Sequence, residues 1–136
     1  MAIWQFECNI IFDEKYSCNL GQKNMEYQLY NIEFLRKEES WCDDIVQYGK
    51  TEETCIEFFL ENGRIEEIKC RLDLRSLSKQ TFFSLLDYVK RNRAMFLIEN
   101  KKYPPDEKIM LEIIKNSKAN EFCKAPLEFL GSWNEL

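Results

Sequence analysis

Arg71, Asp73 and Arg75 alternate with Leu72 and Leu74 in the stretch CRLDLRS, residues 70–76. Side chains along a strand repeat every two residues, so the three charges share one face and the leucines take the other. A carboxylate between two guanidiniums can pin both planar forks and leave donors aimed at a carboxylate or phosphate on a partner. The less demanding outcome is an ion ladder on the wet side of an antiparallel sheet, where an exposed pair is worth at most about 1 kcal/mol. Lys69, Glu67 and Glu57 extend the charged face, and these six residues form the candidate interaction surface.

Other chemistry has few carriers. The chain has no histidine, so the commonest general base and the usual activator of a Ser or Cys nucleophile are missing. It contains no G-x-S-x-G, no glycine-rich phosphate loop and no H-E-x-x-H. Asp43 and Asp44, Glu52 and Glu53, and Glu66 and Glu67 are adjacent carboxylates, which on a strand point to opposite faces and read as solvated charges. The six cysteines are dispersed without a C-x-x-C pair, which argues against a zinc site or a dithiol redox centre. The sequence therefore predicts a non-enzymatic chain with no catalytic residue, cofactor or metal.

Lys90, Arg91, Arg93, Lys101 and Lys102 form a basic cluster beside Tyr103, a composition that can meet phosphates and stack on a base. With a sequence pI of about 5.0 and no nucleic-acid motif, these cations read instead as helix-terminal and turn residues, and no nucleic-acid partner is expected. Net charge is −5 but unevenly placed. Residues 33–67 carry a net −7 and residues 68–118 a net +6, a polarity suited to interaction if folding keeps it as surface patches.

The elements that must position these residues follow from periodicity. Charged residues at 32%, with four glycines and three prolines, describe a folded globular chain, and 136 residues suffice for one domain over 1–136. Trp4, Phe6, Cys8 and Ile10 alternate with Gln5, Glu7 and Asn9, which predicts a half-buried strand. Residues 13–40 fit a helical face on Met25, Leu29 and Ile32 and equally a strand on Tyr30, Ile32 and Phe34. A short strand over residues 45–48 ends at Gly49, and Trp41 just before it is expected to be a core anchor. Trp133 is an interface aromatic if the tail is undocked.

Residues 54–75 predict a hairpin around Asn62 and Gly63. A two-residue loop pairs Ile56 with Lys69 and Phe58 with Glu67, mixing apolar and charged neighbours. A three-residue loop pairs Ile56 with Ile68 and Thr54 with Cys70, and is preferred although it sets Glu57 against Glu67. Ser78 then caps a helix whose apolar face is Phe82, Leu85, Leu86 and Val89, with Leu77 and Phe82 as a staple. Residues 94–98 predict a buried strand. Asp106 and Glu107 begin a helix on Ile109, Met110, Ile113 and Ile114, Ser117 breaks it, and a short helix with Ala119, Phe122 and Cys123 precedes a last turn from Pro126 to Gly131.

The opening twelve residues lack a basic region and carry Glu7 within their apolar stretch, so a secretory signal is not expected. With no apolar run of membrane-spanning length, the expectation is a cytoplasmic chain with reduced thiols and no membrane partner.

Three segments, SWCDDIVQYG (40–49), the strand ending RLDLRS (64–76) and SKANEFCKAPLEFL (117–130), together with the strand containing Trp4, resemble an uncharacterised family of small bacterial cytoplasmic proteins. Its members are similar in style to the small acidic immunity proteins that neutralise toxins. The resemblance implies a bacterial protein and names no substrate or catalytic residue. Together these readings predict an α+β domain with a mainly antiparallel sheet and C-terminal helices packed on one face. They predict a protein-interaction domain with a protein partner, in its sharper form a toxin-neutralising immunity protein. The alternative is a domain binding a small molecule or anionic effector through the Arg71, Asp73 and Arg75 face. Oligomeric state is not legible from the residues.

Overall fold

The computed structural model describes residues 2–12, 28–121 and 123. Its strands are β1 (Gln5–Phe12), β2 (Lys37–Glu38), β3 (Ile45–Tyr48), β4 (Cys55–Glu61), β5 (Arg64–Asp73), β6 (Ala94–Ile98) and β7 (Lys101–Tyr103). Its helices are α1 (Lys79–Arg91), α2 (Glu107–Lys115) and α3 (Lys118–Glu121). All seven strands join one antiparallel sheet in the order β2-β3-β4-β5-β1-β6-β7, an α+β arrangement. No helix among the described residues is long and apolar enough to cross a membrane.

Strand alternation builds the core. Phe6 stands opposite Leu72 and Cys8 opposite Cys70. Ile10 stands opposite Phe96, and Phe58 opposite Ile68. These residues join Phe82, Leu85, Leu86 and Val89 of α1 and Met110, Leu111 and Ile114 of α2 in one buried cluster. Each such side chain contributes about 1.5–3 kcal/mol on leaving water. The Thr81 N–H donates to Ser78 Oγ at 3.1 Å, so the predicted cap of α1 holds, and Leu77 and Phe82 are both buried in the core. The fully buried Tyr88 satisfies its hydroxyl by donating to the Leu29 carbonyl at 2.5 Å.

Of the segment with two readings, residues 13–27 lie outside the described residues. Beyond a helical pair at Gln28 and Leu29, the remainder is irregular up to β2 and covers the core with Leu29 and Ile32, while Tyr30 meets the Phe58 ring edge-on at 4.8 Å. Phe122, Pro126, Gly131 and Trp133 also lie outside the described residues.

The hairpin corrects the preferred register. Asn62 (φ 53°) and Gly63 (φ 76°) form a two-residue loop, with Glu61 opposite Arg64 and Leu60 opposite Ile65. Beyond it the register shifts, so that Phe59 faces Glu67, Phe58 faces Ile68 and Ile56 faces Cys70. Glu66 is the extra residue of a β-bulge. The bulge returns the apolar residues to one face, as the three-residue loop was meant to do, and it sets Glu57 opposite Lys69 rather than Glu67.

Three further expectations change. Trp41 is 79% exposed rather than a core anchor, because it sits in the turn between β2 and β3 beside Asp43 and Asp44. Ile109 is exposed and Leu111 takes its place in the core, since the Asp106 cap begins α2 at a phase that turns Met110, Leu111 and Ile114 inward. The polar stretch after β6 is a strand, β7, joined by a turn at Glu99 and Asn100 with φ of 49° and 68°, without the glycine that usually announces such a turn.

Two glycines separate conformation from space. At Gly49 (φ +80°) an added Cβ would lie 2.2 Å from the Thr54 carbonyl oxygen, whereas at Gly63 (φ +76°) it would meet nothing within 4 Å. Gly63→Ala is expected to cost about 1 kcal/mol for the left-handed backbone alone. Gly49→Ala should cost about 3 kcal/mol or more, because overlap with backbone adds to the same penalty. Urea denaturation of the two variants checks the difference, and equal costs would contradict the packing at Gly49.

Candidate interaction face

The face opposite the core is built by the residues between the apolar ones. Across it run two rows, Cys55–Arg71–Glu7 and Gln47–Glu57–Lys69–Asn9–Leu97, set by the registers of β3, β4, β5, β1 and β6. Arg71 Nη1 donates to Glu57 Oε1 at 2.5 Å, and Arg71 Nε lies 3.8 Å from Glu7. Lys69 Nζ lies 3.4 Å from Glu7 and 3.9 Å from Glu67. Asn9 Nδ2 donates to Glu67 Oε1 at 3.3 Å. Lys69 also sits 5.6 Å above the Phe59 ring, a cation–π distance.

The ladder is graded in depth. The Glu57 side chain is 4% exposed and that of Arg71 16%, while Lys69, Glu7 and Glu67 rise to 26%, 28% and 44%. Ile45 and Cys55 are buried on this face yet stand outside the main core. The deep end is thus a desolvated ion pair and the outer end a solvated one. Arg71 Nε is buried and has no hydrogen-bond partner among the described residues, since Glu7 is too distant for one.

Asp73 and Arg75 belong elsewhere. Strand β5 ends at Asp73, and Arg75 folds back so that Nε donates to Oδ1 and Nη2 to Oδ2, both at 2.9 Å. The same guanidinium lies 4.0 Å above the Trp4 ring and donates to the Glu52 carbonyl at 3.3 Å. Trp4 Nε1 donates to that carbonyl too, and buried Gln5 donates to the carbonyls of Thr51 and Glu53. This cluster ties the β3–β4 loop to the ends of β1 and β5. Asp73 therefore pins one fork rather than two, because Arg71 is held by Glu57.

Of the six predicted residues, Glu57, Arg71, Lys69 and Glu67 come together and Asp73 with Arg75 forms a separate clasp. The sequence reading missed Glu7, Asn9 and Phe59. The alternation of Glu7 and Asn9 with Phe6 and Cys8 carried the signal for the first two, but only the pairing of β1 with β5 brings them to the ladder.

Two of the thiols, Cys55 and Cys70, are poor nucleophiles. Burial, with Glu57 nearby, pushes Cys55 up to about 12, and the hydrogen bond with Cys8 and burial push Cys70 well above the ordinary thiol range. Both stay protonated at neutral pH. At the hairpin end, Glu66 is raised by its hydrogen bond with Glu61 and by that carboxylate's charge.

Comparison with protein-family models, with curated proteins and with solved structures yields no match.

One outcome checks the ladder and a second the hairpin end. Arg71→Ala strands the buried Glu57 carboxylate and should cost about 3–5 kcal/mol in urea denaturation, with Glu57→Gln/Arg71→Met recovering most of it; a cost below 1 kcal/mol would mean a solvated pair. Glu66, its carboxyl raised in the folded state, favours folding below its unfolded pKa and loses that contribution as pH rises through the folded value. Glu66→Gln should accordingly raise the melting temperature at about pH 7, and the gain should vanish near pH 3, where both carboxyls are protonated.

Proposed function

We propose that this chain is a non-enzymatic protein-interaction domain of bacterial cytoplasm, binding a protein partner through the charged face of β4, β5 and β1, with toxin neutralisation as its sharper form. The observation that carries this reading is the graded ladder. A desolvated Glu57–Arg71 pair fixes Lys69, Glu7 and Glu67 at its half-exposed end, so their positions are set before a partner arrives. Half-buried Ile11, Phe59, Met95 and Leu97 on the same face supply apolar area between the charges.

The charge count favours this over an anionic effector. Glu7, Glu57 and Glu67 outnumber Lys69 and Arg71, and the Nε and Nη2 donors of Arg75 are spent on Asp73 and the Glu52 carbonyl. A complementary surface would carry cations, which speed encounter and select among partners.

The test is purification of the chain with its stoichiometric partner from host cells at low and moderate salt, beside the charge reversals Lys69→Glu and Glu67→Lys. Both variants should keep the wild-type fold, Lys69→Glu with a lower melting temperature because it faces Glu57, and both should change partner affinity by about tenfold and flatten its salt dependence. A chain that purifies alone at low salt, or variants that bind as tightly as wild type, would refute the reading.

A further inference from the structure

Strands β1 and β5 part company in the middle of the sheet. Their pairing runs from Gln5 opposite Asp73 to Asn9 opposite Lys69 and then stops. Each strand nevertheless continues with its outer neighbour, β1 with β6 as far as Phe12 and β5 with β4 as far as Arg64. Residues 10–12 and 65–68 therefore form the two arms of a fork. The bulge at Glu66 supplies the cause, because an extra residue bends and twists the strand that holds it.

Between the arms lies a cleft of about 180 Å³. Its walls are Ile10, Ile11, Phe12, Ile65 and Ile68, and Glu66 and Glu67 stand at its rim. Asn9 closes the crotch through its bond to Glu67. The volume is well below the roughly 300–1,000 Å³ of small-molecule sites, so it suits one or two aliphatic side chains rather than a free ligand. The arms form no ladder with each other, and the main-chain groups they turn toward the gap are of the kind that accept an added strand.

The rim selects the charge of what enters. Glu61, Glu66 and Glu67 gather there against two cations, Arg64 and the Lys69 that lies 3.9 Å from Glu67, so carboxylates keep the majority. Crowded carboxylates repel, and a cation placed among them is attracted by all three.

We propose that the fork between β1 and β5 is a docking slot for one extended segment of a protein partner in which lysine or arginine alternates with valine or isoleucine. The segment pairs its main chain with one arm, lowers an aliphatic side chain into the cleft, and places its cations on Glu61, Glu66 and Glu67. This rests on the reading of the chain as an interaction domain and adds the element of the partner that it grips.

The test uses the full chain, isotope-labelled, titrated with acetyl-Lys-Val-Lys-Val-Lys-amide and, separately, acetyl-Glu-Val-Glu-Val-Glu-amide. The lysine peptide should shift the backbone amides of residues 10–12 and 65–68, the glutamate peptide should not, and Glu66→Lys/Glu67→Lys should weaken the lysine peptide about tenfold. Both substituted residues are exposed, so the variant should keep the wild-type spectrum elsewhere. Absence of shifts at those amides, equal shifts from both peptides, or wild-type affinity in the double variant would overturn the slot. The two readings fail separately. A peptide that fills the fork while Lys69→Glu leaves the native partner untouched would sink the ladder and keep the slot; the opposite pattern would sink the slot alone.

Discussion

The bulge at Glu66 is the constraint on which the rest of the sheet depends. Asn62 and Gly63 both adopt positive φ, and that turn dictates a two-residue hairpin whose register would put Ile56 against Lys69. One extra residue in β5 moves the pairing by one, so Ile56 and Phe58 return to the face of Cys70 and Ile68. Since side chains alternate with period two, this single insertion decides which half of β5 faces the helices. It also decides the polar face, where Glu57 meets Lys69 across the ladder and Arg71 reaches Glu57 on the diagonal. The same bend ends the pairing of β5 with β1, so register, ladder and fork share one cause.

The Glu57–Arg71 pair gives the polar face its rigidity. Removing two charges from water costs several kcal/mol per ion, and attraction offsets this only when geometry and additional hydrogen bonds are good. Here Glu57 takes a direct Arg71 donor, and Glu7 draws the guanidinium from the other side without a hydrogen bond to Nε. The pair is thus weak as a source of net stability and strong as a specifier, since any shift of β4 against β5 would leave a buried carboxylate alone. The Asp73–Arg75 clasp does comparable work at the strand end by stacking on Trp4 and holding the β3–β4 loop.

Much of this was legible in the residues, and what was not has local physical reasons. Alternation identified β1, β4 and β5, a continuous apolar run β6 and the stop at Gly49 β3, and the Ser78 and Asp106 caps fixed the starts of α1 and α2. Faces were readable because apolar periodicity reports them directly, whereas the bulge was not, because Glu66 and Glu67 look alike and nothing marks which is left over. β7 escaped because Lys101 and Lys102 are poor strand formers and the turn before it uses Glu99 and Asn100. Trp41 misled because size alone suggests burial, while its acidic neighbours hold that turn in water. For the site, the triplet drew attention to β5 but not to β1, since strand order is a nonlocal property that a single sequence does not state.

Strand order also decides where the two signs of charge meet. Much of the net −7 of residues 33–67 and the net +6 of residues 68–118 lies in loops and helices. Of the strands flanking β5 and β1, β3 and β6 carry no charge, β2 is neutral, β4 brings Glu57 and Glu61, and β7 brings Lys101 and Lys102. β4, β5 and β1 are neighbours, and across them the two signs interleave as Glu57, Arg71, Glu7 and Lys69. A sheet with its acidic and basic halves segregated would repel or attract a partner as a whole. Interleaving at the centre would instead make the proposed binding depend on matching each charge in turn, since a like charge set opposite costs several kcal/mol. In the proposed interaction, the centre of the sheet, where β1 and β5 both carry the ladder and then separate, is therefore where specificity would be most finely divided.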